Sequence, residues 1–88
     1  MLDKLIGKGN YIIVDVRTNE EYLESHVKGA INIPYDEINE STNLDKTKTI
    51  LVYCKSGVRS SKAYNTFKSL GYDVIDLGAY DTIDLDKE

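Results

Sequence analysis

Thr49-Ile-Leu-Val-Tyr53 runs directly into Cys54-Lys-Ser-Gly-Val-Arg59, and that into a stretch from Ser60 to Leu70. The first segment is β-rich and apolar without alternation, the pattern of a strand buried on both faces. The last reads as a helix: Ala63, Phe67 and Leu70 recur at i, i+4 and i+7, and Gly71 supplies the C-terminal cap. Between them lies a short loop with a glycine near its middle. A buried strand, a tight loop and a helix in immediate succession form half of a parallel crossover unit.

The same alternation extends along the chain in both directions. Upstream, Tyr11-Ile-Ile-Val14 is a second buried-type strand. Thr18 and Glu21 are spaced as a capping box for a helix reaching Leu23 or Glu24. Ser25 to Gly29 is a loop, Ala30-Ile-Asn-Ile33 a short strand stopped by Pro34, and Asp36 to Asn39 a single helical turn. Leu2, Leu5 and Ile6 place one apolar side on a short opening helix ended by Gly7 and Gly9. Downstream, Tyr72 to Leu77 is a further strand, and Gly78 to Glu88 an acidic end expected to finish in a weak helix or a frayed tail. The expected architecture is α/β, one domain over residues 1–88, with a small, mainly parallel sheet of four to five strands and helices on both faces.

Composition narrows the function. Eleven basic against fifteen acidic residues give a net charge of −4, which argues against a nucleic-acid partner, although a local patch can still take a small anion. No apolar run is long enough to span a bilayer, so no membrane partner is expected, and the chain is read as cytoplasmic and monomeric. One cysteine, Cys54, excludes an internal disulfide, and with a single histidine, His26, no metal site is expected.

Cys54 stands at the carboxyl end of a strand, where parallel sheets place their ligands. A packing cysteine has no need of the polar and cationic residues that follow it. Gly57 allows the loop to curl so that its N–H groups converge, and the helix after it adds unpaired N–H groups and its positive dipole end. The backbone of Lys55, Ser56, Gly57, Val58, Arg59 and Ser60 thus forms a cup for an anion, with Cys54 at its base. In such a cup the thiol is more acidic and the sulfur nucleophilic without a histidine base. Lys55 and Arg59 bring cations to the rim, and Ser56 and Ser60 bring hydroxyl donors.

Cys54-Lys-Ser-Gly-Val-Arg59 resembles the Cys-Arg-x-Gly-x-Arg active-site loop of the rhodanese family of sulfurtransferases, with Lys55 in place of the commoner arginine. Ile13 to Arg17, Glu21-Tyr22 and Ser25 to Pro34 are similar to the family's first signature, and Leu70-Gly-Tyr72 with Val74 to Gly78 to the end of its core. The resemblance implies a rhodanese-like fold and a persulfide on Cys54. It implies a small anionic sulfur donor such as thiosulfate, a thiol or cyanide acceptor or a sulfur-accepting protein, and no cofactor. Lys55 and Arg59 become candidate donors to thiosulfate. A persulfide carrier serving a partner enzyme is the alternative. A rhodanese-fold phosphatase or arsenate reductase is a further one, but that loop is Cys-x5-Arg and this one is Cys-x4-Arg. The family's usual Gly-Gly-x-x-x-Trp ending is replaced here by Gly78-Ala79 and Ile83, and the late start leaves little room for a fifth strand.

Three further residues are read as support. Asp15, at the same sheet edge as Cys54, is expected to orient Arg59 or a loop N–H. Arg17 is expected to pair with a carboxylate for the fold, and His26 to satisfy buried backbone rather than to move protons. Alternation turns the Tyr53 ring to the face opposite Cys54.

Overall fold

The computed structural model describes residues 10–88, so the expected opening helix lies outside the described residues. Four parallel strands form one sheet: β1 (Tyr11–Asp15), β2 (Ile31–Asn32), β3 (Thr49–Cys54) and β4 (Asp73–Ala79), in the order β2-β1-β3-β4. Helix α1 (Asn19–Glu24) joins β1 to β2, and helix α2 (Val58–Ser69) joins β3 to β4. Short 3₁₀ turns occupy Tyr35–Glu37 and Tyr80–Thr82.

Period-2 alternation sorts the strand side chains into two cores. Val14, Ile50, Val52, Cys54 and Val74 share one face with Ala63 and Phe67 of α2. Ile13, Leu51 and Tyr53 point the other way, against Tyr22 of α1, Val27, Ala30 and Ile83. Both faces are therefore covered, as the unalternating sequence of the central strands requires. Phe67, fully buried, meets Tyr72 edge-on with ring centroids 5.4 Å apart, which fastens the far end of α2 to the start of β4.

The helix ends follow local chemistry. Thr18 and Glu21 form the full capping box before α1. At the end of α2, Gly71 adopts φ +94°, and its N–H and that of Tyr72 donate to the carbonyls of Lys68 and Phe67. This reverse turn needs a left-handed residue and drops the chain straight into β4.

Three elements differ from the sequence-based expectation. Helix α2 starts at Val58, not Ser60, because Gly57 at φ +93° turns the chain into the helix with no side-chain cap. Strand β2 is limited to Ile31–Asn32. The acidic end is not frayed: His26 and Glu88 exchange main-chain hydrogen bonds, both 2.8 Å, and Lys28 N–H donates to the Asp86 carbonyl at 2.7 Å. Main-chain bonds of this kind, with Ile83 buried, hold a segment whose side chains are mostly exposed.

Candidate active site

Strand β3 carries Cys54 to the carboxyl edge of the sheet, and the loop closes over it immediately. A bulge in β4 shifts the register after Val52, so that Tyr53 pairs with Gly78 and Cys54 with Ala79. Bulges of this kind re-aim a strand beside a functional site. The Gly78 backbone thereby backs the loop, with its Cα 4.0 Å from where a Cβ on Gly57 would stand. Space alone would admit a side chain at Gly57; the left-handed φ is what favours glycine there.

Cys54 is fully buried, yet its surroundings are not those of a packing residue. The Gly57 N–H donates to Sγ at 2.9 Å. Burial pushes the Cys54 thiol up, but the hydroxyl and N–H of Ser60 and the N–H groups of Gly57 and Ser56 push it further down, and the thiol lies below its ordinary range. Ser60, also fully buried, donates its hydroxyl back to the Gly57 carbonyl at 3.1 Å. The N-cap residue of α2 thus aims its N–H at the sulfur.

The rim is arranged differently from the sequence-based expectation. Lys55, Ser56 and Val58 are exposed. Arg59 turns away from the cup to Glu21 of α1, with Nη1 to Oε1 at 2.8 Å and Nη2 to Oε2 at 3.2 Å. The pair is three-quarters buried on both sides, and the Arg59 hydrogen bond holds the Glu21 carboxyl down at about 2. Glu21 raises the Arg59 guanidinium in turn. Sequence reasoning found Glu21 only as a helix cap. Its second partner lies 38 residues away, and no local spacing announces it.

Asp15 requires a correction: it orients neither Arg59 nor a loop N–H. Its ladder partner is Tyr53, so its side chain leaves the sheet on the face opposite Cys54. There it accepts the Tyr53 hydroxyl at 2.8 Å, the Arg17 N–H at 2.9 Å and the Arg17 guanidinium at 2.6–3.0 Å. Burial and the adjacent carboxylate push the Tyr53 phenol well above its ordinary range. Arg17 also donates to the Ser25 carbonyl at 2.6 Å and lies 4.4 Å from the centre of the Tyr80 ring. His26 stacks on Tyr22, and its ring nitrogens meet the Tyr22 carbonyl and Glu88. These contacts belong to the face opposite the thiol.

Among the described residues no group of His, Cys, Asp or Glu is placed to hold a metal ion, and no helix is long and apolar enough to cross a membrane. What the arrangement offers chemically is one acidified thiol that accepts a main-chain N–H at the start of a helix.

The chain is similar to several known proteins. Thiosulfate sulfurtransferase PspE of Escherichia coli is 42% identical over 62 residues, which is 67% of this chain and 60% of that protein. The putative sulfur carrier protein YrkF of Bacillus subtilis is 39% identical over 61 residues, 68% of this chain and 33% of that one. The chain therefore spans less than two thirds of the length of PspE and about one third of that of YrkF. Among solved structures, a rhodanese with anions from E. coli superposes with a TM-score of 0.80 at 35% identity, covering 89% of this chain and 96% of the other. The family model for the rhodanese-like domain matches residues 1–81, and the chain belongs to the rhodanese-like domain family.

Proposed function

We propose that this chain is a sulfurtransferase that carries sulfane sulfur on Cys54. The Cys54 thiolate attacks the outer sulfur of a donor such as thiosulfate. A bond forms between Sγ and that sulfur, the S–S bond of the donor breaks, and its electron pair leaves with sulfite. An acceptor nucleophile, a thiol or cyanide, then takes the terminal sulfur and returns the thiolate. Neither half needs an external oxidant or reductant. The terminal sulfur of the persulfide is an anion, and the N–H groups of Ser56, Gly57 and Ser60 are the donors to which it would bind. Donors already in place stabilise that charge without rearranging. Lys55 supplies a cation at the rim.

The observation that carries this reading is the Gly57 N–H donating to Sγ at 2.9 Å, in a loop whose donors push the thiol down against the burial that would otherwise keep it neutral. The names of PspE and YrkF support sulfur chemistry in general. The test is intact-mass analysis after thiosulfate treatment, followed by cyanide. A gain of one sulfur atom on Cys54 that cyanide removes as thiocyanate is the expected result. An unmodified thiol that alkylates no faster than a free cysteine refutes it.

A second reading is a persulfide carrier that passes sulfur to a partner protein. It is favoured by Val58, 61% exposed beside the loop, and by Leu23, 71% exposed on α1. A stable Cys54 persulfide with negligible turnover to small acceptors distinguishes the carrier from the enzyme.

A further inference from the structure

The charges of this chain are sorted by segment. Residues 46–72 hold six cations, Lys46, Lys48, Lys55, Arg59, Lys62 and Lys68, and no carboxylate, in a protein whose net charge is −4. In the fold this segment supplies β3, the Cys54 loop and α2. Helix α2 buries Ser60, Ala63 and Phe67 and turns Val58, Ser61, Lys62, Asn65, Lys68 and Ser69 to solvent, with the three- and four-residue spacing of one helix face. At the rise of an α-helix this stripe runs about 15 Å from Val58, beside the Cys54 loop, to Lys68. Among the described residues the ion pairs are those of Arg17, His26 and Arg59, so Lys55, Lys62 and Lys68 have no carboxylate partner. Lys62 stands instead over the Tyr35 ring, 5.6 Å from its centre, and the adjoining Asp36 and Glu37 form no ion pair. The opposite side of the molecule has the opposite sign. Glu20, Glu24, Asp81, Asp84, Asp86 and Glu88 are exposed on α1 and the tail, which pack on the Tyr53 face, with Lys28 and Lys87 as the exposed cations there.

We propose that the exposed stripe of α2 is the docking surface for an acidic sulfur-accepting protein, which lies along Lys62 and Lys68 and brings its own thiol over Val58 to Cys54. What passes between the two proteins rests on the sulfur-transfer reading above. The partner's thiolate attacks the terminal sulfur of the Cys54 persulfide, and the bond between the two sulfurs breaks. Its electron pair stays on Sγ as the thiolate, and the partner leaves as the persulfide. Unpaired lysines in line with the reactive loop raise the local concentration of a carboxylate-rich surface and orient it along the helix. Val58, 61% exposed, is the apolar contact at the end of the stripe where the sulfur moves. A second copy of this chain is the poorer occupant. It would seat its anionic side on α2, a head-to-tail contact that builds rings or open chains rather than a closed pair. Its one thiol belongs to its cationic side, so that contact would not bring the thiol to Cys54 of the first copy.

The experiment loads Cys54 from thiosulfate and follows sulfur transfer, by mass, to a short polyglutamate peptide that ends in cysteine and to its polyglutamine twin. Cyanide serves as the small acceptor. In parallel, binding of a fluorescein-labelled polyglutamate without cysteine is read by anisotropy. Proteins compared are the wild type, Lys62→Gln with Lys68→Gln, and Lys28→Gln with Lys87→Gln, which removes the same charge from the other side. All four lysines are exposed, and glutamine matches lysine in helix propensity, so the fold is kept. The Lys62 and Lys68 variant is expected to lower the glutamate-to-glutamine rate ratio about five- to tenfold, the size of two exposed charge interactions. Comparing that ratio between proteins cancels the effect of the glutamates on the peptide's own thiol. The Lys28 and Lys87 variant is expected to keep the wild-type ratio, and all three proteins the same rate to cyanide. An unchanged ratio in the Lys62 and Lys68 variant overturns the proposal, as does an equal fall in both variants. If Cys54 takes up no sulfur, the sulfur-transfer reading fails and peptide binding alone decides the surface. Binding weakened only in the Lys62 and Lys68 variant then supports it, and equal binding by all three proteins refutes it. A wild-type mass in sedimentation that rises with concentration, and does not rise in that variant, assigns the stripe to a second copy and overturns the acidic partner.

Discussion

Tyr53 and Cys54 are consecutive, equally buried and at the same edge of the same sheet, and they belong to regions built on opposite principles. On the Tyr53 face, Asp15, Arg17 and the phenol satisfy one another through side chains, and Tyr80 covers them. Among the described residues no fully buried side-chain donor lacks an acceptor, which fixes the geometry there. On the Cys54 face, the Gly57 N–H donates to an atom that is only a weak acceptor until it ionises, and donors of Ser56 and Ser60 add to the pull that lowers the thiol. A closed ion pair fixes a geometry and is costly only to break, whereas a donor directed at an ionisable atom is a place for charge to arrive. Burial alone does not tell the two apart.

The largest difference between the two regions is expected in activity. Cys54→Ser is expected to abolish sulfur transfer, by about a thousandfold or more, while leaving thermal unfolding close to that of the wild type. Serine keeps the hydrogen-bonding capacity but does not ionise near neutral pH. Turnover from thiosulfate to cyanide and a melting curve, read together, check it. Asp15→Asn is expected to do the converse. It removes the counter-charge of Arg17, which is only 6% exposed, and a buried guanidinium without its partner costs about 3–5 kcal/mol. Urea unfolding is expected to show that loss, while residual folded protein retains normal iodoacetamide reactivity at Cys54. A large change in thiol reactivity would mean that the two faces are coupled through the β1–β3 ladder.

How much of this was legible in the sequence depended on the range of the interaction. The capping box of Thr18 and Glu21, the strand at 49–54 and the turn at Gly71 rest on neighbours within a few positions, and local pattern sufficed. Asp15 was assigned to the correct edge and the wrong face. Deciding its face needed the register that pairs it with Tyr53, and register is a property of two strands rather than one. The helix begins at Val58 because Gly57 turns the chain in the left-handed region, and the Ser60 hydroxyl is used on the Gly57 carbonyl inside the helix. The tail is held by main-chain bonds to His26 and Lys28, which no side-chain composition encodes.

A moderate effect is expected at the donors themselves. Ser60→Ala removes the hydroxyl that, with the amides, holds the Cys54 thiol below its ordinary range. The pH at which iodoacetamide capture is half-maximal is expected to rise, and sulfur transfer at neutral pH to fall about tenfold, the worth of one hydrogen bond to a charged group. Because the three amides remain, a thiol returned to the reactivity of free cysteine would mean that the hydroxyl, and not the main-chain cup, carries the acidification.

The smallest effect separates the rim pair from both regions, because it is an ion pair with more solvent around it than Asp15 and Arg17 have. The Glu21 carboxyl is held at about 2 in the folded chain, below its ordinary value of 4.5. The unfolded chain therefore binds this proton first as pH falls, so stability drops with acidification. The contribution of the pair is fully present above about pH 4.5 and is lost as pH falls towards about 2. Glu21→Gln keeps an acceptor for the Thr18 N–H and removes only the charge. Urea unfolding near neutral pH is expected to separate the two proteins by about 0.2–1 kcal/mol, as for other partly exposed pairs, and the gap to close as the wild-type carboxyl protonates. A gap that stays constant across that range would show that the variant acts through the helix cap alone. The carboxylate would then stabilise the chain by capping α1, and its bonds to Arg59 would add nothing measurable.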